Sequence, residues 1–298
     1  MGYLLLFIAV FAGIMKGFCG KKTSFAVSDL KDAMLANALR MLLCIVIGFA
    51  VVSLEGSIKS LIISNEVLWI SALSGISTSV FVVSWLLSVK RGAYMMLDVF
   101  LMLGTVIPLF ASSVIFGEMI LAKQVIGLVI LIVSVIIMCS YNNSIKKKIS
   151  IGSLALLILG GAAGGISDFS QKLFIESNSG YSSAVFNFYT YVFSALALVF
   201  CYLVMEVKNK DSNVASFVKI KSVFGYILVM SLCLFLNSYF KTLSAGYLPA
   251  AQIYPLAQGS SMILSSFMAA ALFGEKLTLK SVVGIMIAFV GLLFINVL

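Results

Sequence analysis

Histidine is absent from this chain of 298 residues. That removes the commonest general base, metal ligand and near-neutral pH switch, and with them any serine–histidine hydrolase. No paired-aspartate protease pattern appears either, so an enzyme is not expected. There is no G-x-x-x-x-G-K-[ST] phosphate loop, which argues against ATP-driven pumping by this chain alone. The five cysteines are odd in number and all sit in apolar runs, so they read as small hydrophobic residues rather than a disulfide framework. No metal site and no cofactor are expected. Charge is scarce as well, at 10% of residues, where soluble domains carry about 25%.

What fills the chain instead is apolar: 62% of residues are hydrophobic and the mean hydropathy is +1.15. A soluble fold of this size has no way to hide so much apolar surface, so its solvent is lipid. Runs of about 20 apolar residues match a hydrocarbon core of roughly 30 Å. The N-terminal MGYLLLFIAVFAGIMKG lacks a basic leader and reads as a first span rather than a cleaved signal peptide. The net charge of +9 lies mainly in short loops between spans, where it reports orientation rather than nucleic-acid binding.

The apolar runs predict ten transmembrane helices, near 2–20, 33–54, 66–89, 92–116 and 121–140, then 151–173, 182–205, 223–243, 248–272 and 278–298. One phrase occurs twice: VIFGEMILAKQVIG at 114–127 and ALFGEKLTLKSVVG at 271–284. Each sets Phe-Gly-Glu, a lysine five residues after the glutamate and a glycine nine after it, before a final apolar run. From Glu118 to Glu275 the shift is 157 residues. GIMKGFCGK at 13–21 is echoed by GISDFSQK at 165–172. The expected fold is therefore all-α and membrane-integral, as two five-helix repeats over 1–145 and 146–298.

Five spans per repeat require the two copies to enter the membrane in opposite directions. Loop charge agrees. Lys21, Lys22, Lys31, Lys90 and Arg91 follow spans one and three, against Lys59 and Lys123 after spans two and four. In the second half the bias reverses, with Lys208, Lys210, Lys219, Lys221, Lys276 and Lys280 after spans seven and nine, against Lys172 and Lys241 after spans six and eight. The positive-inside rule then places the basic loops, with Lys146 to Lys148, in the cytoplasm and both termini outside.

Ten spans in two inverted halves, each with a G-E-x5-10-G phrase before its last helix, resemble the drug/metabolite transporter superfamily, EamA-type. Pro108, ten residues before Glu118, and LRMLLCIVIG in span two share that resemblance. The second copy departs from it, with Ser265 in the place of Pro108 and its own proline at Pro255. The resemblance implies that spans one to four and six to nine enclose a central cavity while five and ten stand outside. It also implies a secondary transporter, a permease for transmembrane transport.

Glu118 and Glu275 have two readings. They are gating groups, or they seat a tight interfacial turn in which each carboxylate favours the positive end of the following helix. Gly117 and Gly274 would let that turn form, and Gly127 and Gly284 complete the motif. Their position at span ends favours the structural reading.

Ionisable groups inside spans mark function more directly, because an unpaired charge near a bilayer centre costs ~2.5–3.5 kcal/mol or more. Lys16, Arg40, Asp98 and Asp168 qualify. In one reading they line the two ends of a cavity. In the other, Lys16 snorkels, Arg40 reaches a headgroup and Asp168 pairs with Lys172 one turn on. Polar stripes run along span four (Tyr94, Asp98, Thr105, Ser112) and span nine (Tyr254, Gln258, Ser261, Ser265), either lining a pathway or bonding neighbouring helices. Asn187, Tyr189, Asn237 and Tyr239 add amide and aromatic groups suited to an amphipathic solute. Trp85, near a span end, also fits an interfacial belt. The small-residue pairs Gly13/Gly17, Gly160/Gly164 and Gly161/Gly165 suit close helix packing.

The function expected is alternating-access transport of a small metabolite, such as an amino acid or another zwitterionic or amphipathic solute. Its partners are that substrate, the lipid bilayer and a coupling proton at Asp98 or Asp168, in a multi-pass protein of a bacterial inner membrane. No nucleic acid is expected, and a homo-oligomer is left open. A flippase for lipid-linked substrates and a non-transporting sensor or scaffold are the alternatives.

Overall fold

The computed structural model describes residues 1–56, 61–90, 100–140, 151–178, 180–208, 219–273 and 279–296. Among them are ten helices: α1 (Gly2–Ser24), α2 (Leu30–Leu54), α3 (Asn65–Lys90), α4 (Val106–Phe116), α5 (Ala122–Ser140), α6 (Ile151–Glu176), α7 (Ser183–Lys208), α8 (Phe224–Ala245), α9 (Ala250–Phe273) and α10 (Leu279–Asn296). Six of them, α1 to α3 and α6 to α8, are long and apolar enough to cross a membrane. Shorter apolar helices occupy 100–116, 122–134 and 282–295.

Local chemistry sets the helix ends. Asp29 caps α2 by accepting the Asp32 N–H at 2.9 Å. Gly117 ends α4 in the left-handed conformation, φ 68°, where a Cβ would be strained. Pro108 stands near the start of α4, where its missing N–H costs little. Pro255 lies inside α9, so that helix gives up one backbone hydrogen bond.

The outside of the bundle is oily. Phe7, Phe11, Trp69, Phe110, Phe200 and Met286 are all exposed, which suits a lipid-facing surface. The inside carries the polar groups. On α3 alone, Ser71, Ser74, Ser77, Thr78, Ser79, Ser84 and Ser88 are buried. Small side chains let this helix pack closely: a Cβ on Gly75 would press on the Thr190 carbonyl and Phe193 of α7.

The most extensive seams join helices far apart in sequence: α1 with α8, α5 with α10, α3 with α6, α2 with α7 and α3 with α7. Along α6, a Cβ on Gly161 would collide with the Phe100 carbonyl, and one on Gly165 with the Gly104 carbonyl. On the other seam, Gly127 of α5 faces the Gly291 carbonyl of α10, at 2.7 Å from where its Cβ would stand. Ser134 Oγ of α5 donates to the Gly284 carbonyl at 2.6 Å.

The two ends of the bundle differ in character. At one, Lys31 pairs with Glu206 at 2.8 Å, Lys219 donates to Ser28 Oγ at 3.0 Å and Lys90 donates to the Val27 carbonyl. At the other, Ser244 Oγ donates to the Gly2 carbonyl at 2.8 Å, near the turn between α8 and α9.

Candidate functional site

A cavity of about 140 Å³ lies between α1, α3, α6, α7, α8 and α9, with Leu101 completing its wall. Among the described residues, α5 and α10 contribute nothing to it, and neither does α2. Phe81, Trp85, Tyr191 and Leu234 are among its apolar lining, and Thr78, Ser167, Gln171 and the α9 stripe among its polar lining.

Of the sequence candidates, Lys16, Asp168, Asn237, Tyr254 and Gln258 line this cavity together, with Ser261 and Ser265. Lys16 Nζ stands 5.8 Å from the centre of the Phe81 ring, a cation–π arrangement. Asp168 is ion-paired, but not with Lys172 as the one-turn spacing suggested: its partner is Lys241 of α8. Lys172 is drawn away by two other carboxylates, Glu118 at 2.7 Å and Glu176 at 2.8 Å. Tyr254 Oη donates to the Asp168 carbonyl at 2.6 Å, tying α9 to α6. Asn237 Nδ2 donates to the Ala9 carbonyl at 2.7 Å, tying α8 to α1.

Arg40 does not reach a headgroup. It is 2% exposed, its Nη1 donates to Asn37 Oδ1 at 3.3 Å, and its Nε has no partner among the described residues. It stands behind the cavity wall, within electrostatic range of Lys16 and Tyr191. Trp85 is no belt residue either: it is buried against Gly20, where a Cβ would overlap its ring.

Asn187 and Tyr189 sit outside the lining. Tyr189 Oη donates to the Leu61 carbonyl. Asn187 is fully buried and anchors a relay. Its Nδ2 donates to the Ser183 carbonyl at 2.8 Å, its Oδ1 receives Ser238 Oγ–H at 2.6 Å, and Ser238 Oγ receives Gln171 Nε2–H at 3.1 Å. Thr105 bonds locally to the Met102 carbonyl at 2.7 Å, and Ser112 is buried; neither lines the cavity. Tyr94 and Asp98, like Gly274 and Glu275, lie outside the described residues.

Glu118 corrects a second expectation. Its carboxylate does not serve the helix that follows it. Gln124 Oε1 already accepts the Leu121 N–H at 3.0 Å at the start of α5. Glu118 instead accepts the Ala250 N–H at 2.8 Å, at the N-terminus of α9, and pairs with Lys172 of α6.

Lys241, Gln171, Ser238 and Thr78 were missed as site residues. Charge patterning groups Lys241 with the loop lysines, although Asn237 and Lys241 are four apart and so share a helix face.

Residues 151–297 match the family model described as the EamA-like transporter family. No curated protein matches the sequence. Among solved structures, one crystal structure superposes with a TM-score of 0.76 at 12% identity, covering 99% of this chain and 96% of its own, which is a likeness of fold. Apolar membrane-length helices packed around a charged cavity agree with the matched family, whose members are transporters rather than enzymes. Residues 151–297 belong to the EamA-like transporter family of the drug/metabolite transporter superfamily, and the apolar helices are those of a multi-pass membrane protein of that transporter type.

Proposed function

We propose that this protein is a secondary transporter that moves a small amphipathic metabolite through the Lys16–Asp168 cavity by alternating access of two inverted halves. The observation that carries the reading is the cavity itself: charged groups held between helices from both halves, inside an apolar bundle.

The packing pattern supports the halves. Replacing each helix by the one five places on turns α1–α8 into α6–α3, α3–α7 into α8–α2 and α4–α6 into α9–α1, while α2–α7 and α5–α10 map onto themselves. The seam between α5 and α10 follows the same rule residue by residue. The 157-residue shift carries Gly127 to Gly284 and Ser134 to Gly291, so the Gly127–Gly291 and Ser134–Gly284 contacts exchange places. Repeats over 1–145 and 146–298 account for this pattern. The lysines gathered at one end, Lys31, Lys90 and Lys219, support a cytoplasmic assignment for that end, with both termini outside. A small amphipathic solute fits a lining that combines charged, polar and aromatic groups, and Asp168 is the described group placed to carry a coupling proton.

Reconstitution into proteoliposomes tests the reading. Preloaded vesicles should exchange labelled solute in a saturable way, and an imposed pH gradient should alter the flux. Flux no faster than in empty vesicles for every solute class would overturn the transporter; flux indifferent to the gradient would remove the proton.

A further inference from the structure

We infer that the cavity selects a small organic anion, holding a carboxylate at Lys16 and receiving a hydroxyl proton at Gln171 Oε1. This rests on the cavity being the transport site and narrows what that site accepts.

The charge inventory comes first. Among the described lining residues there are two ammonium groups, Lys16 and Lys241, and one carboxylate, Asp168. Lys241 donates to Asp168 Oδ1, so that pair is already closed. Lys16 is left over, resting on the Phe81 ring. Arg40 adds a second positive charge from behind the wall, within electrostatic range of Lys16. A cationic amine would therefore meet net repulsion. A zwitterion would satisfy Lys16 with its carboxylate, but its ammonium would have to compete with Lys241 for Asp168. A monoanion balances the three lining charges and leaves Arg40, behind the wall, as the remaining positive charge.

The polar relay supplies the second contact. Asn187 Nδ2 is fixed by donating to the Ser183 carbonyl, which makes its Oδ1 the acceptor for Ser238 Oγ–H. Ser238 Oγ thus has its proton committed and accepts from Gln171 Nε2. That orients the Gln171 amide and leaves Oε1 as a buried acceptor with no partner among the described residues. A buried acceptor without a donor costs roughly 1–3 kcal/mol, and a ligand hydroxyl would remove the deficit. The apolar wall, Phe81, Trp85 and Leu234, takes the carbon body. About 140 Å³ sets the scale; an engineered cavity of roughly 150 Å³ holds benzene.

The test uses matched probes that differ only in charge pattern: lactate and mandelate, their amides lactamide and mandelamide, and the amino acids alanine and phenylglycine. Each is titrated into the purified full-length protein in a non-ionic detergent, with thermal stability as the readout. The hydroxy acids should raise the melting temperature, and the amides and amino acids should bind at least tenfold more weakly. Lys16→Gln should abolish the acid-dependent shift while the empty protein melts no lower than the parent, and Lys16→Arg should keep the shift. Phenylacetate, which lacks the hydroxyl, should bind more weakly than mandelate to the parent and equally to Gln171→Leu.

Tighter binding of the amino acids, an acid shift that survives in Lys16→Gln, or no shift from any probe overturns the inference. Uptake separates it from the transport reading. Phenylglycine carried into proteoliposomes while mandelate is not would sink the anion site and leave the transporter. Mandelate bound, with no solute of any class carried, would keep the site and sink the transporter.

Discussion

Glu118 Oε1 lies 2.7 Å from Lys172 Nζ while its other oxygen receives the Ala250 N–H at 2.8 Å. One carboxylate thereby joins the turn after α4, the last turns of α6 and the first turn of α9. The two roles separate by substitution. Glu118→Gln keeps an acceptor for the helix end and leaves Lys172 with Glu176, so it should cost about 1 kcal/mol. Glu118→Ala loses the helix-end acceptor as well and should cost about 1 kcal/mol more. Melting in detergent reads the difference; equal losses would deny the capping role.

Asp168 and Lys241 face each other inside the bundle, where either charge alone is expensive. Asp168→Asn and Lys241→Gln should each destabilise the protein and stop transport. The double variant should be more stable than the sum of the singles predicts, by about 1–3 kcal/mol. A double-mutant cycle that closes additively would show the pair to be incidental.

The seam of α5 on α10 should answer differently from the cavity. Ser134→Ala removes one interhelical hydrogen bond, worth about 0.6 kcal/mol in membrane proteins. Gly127→Val pushes a side chain into the Gly291 backbone and should cost about 1–3 kcal/mol. Neither helix supplies a described residue to the cavity, so ligand affinity should hold while stability falls. A parallel loss of affinity would place these helices in the transport path.

Gly20→Val makes the opposite trade. Its side chain would take the space of the Trp85 ring, and Trp85 lines the cavity. The expected result is weaker ligand binding, seen by titration, beside a stability loss of about 1–3 kcal/mol. Unchanged affinity would mean that the indole does not shape the site.

Helix positions were legible because lipid imposes a long apolar run on each span, and the helix bounds fall within a few residues of the runs except at the run over 92–116, where α4 starts only at Val106 and residues 91–99 lie outside the described residues. The partners of charged groups were not. One-turn spacing pointed Asp168 at Lys172, yet a helix-surface rule sees only its own helix: Asp168 took Lys241 of α8, and Lys172 took Glu118 from outside its helix beside Glu176 one turn on. The same blindness assigned the Glu118 carboxylate to the helix after it, when Gln124 had already taken that end. Arg40 looked like a snorkelling side chain by its place in the span, and only packing put it behind a wall. The serines of α3 drew no attention in sequence, because isolated hydroxyls among apolar residues carry no period of their own.

The five largest seams all join a helix before residue 145 to one after residue 150. During synthesis, α5 therefore enters the bilayer well before its partner α10 exists, and α1 precedes α8 by some two hundred residues. The early helices must wait in lipid without their largest seams, with Gly127 and Gly161's partner strip at 100–104 lacking their later partners. Assembly is thus a late event in the life of the chain, and the helices made last decide whether those made first acquire their most extensive native seams.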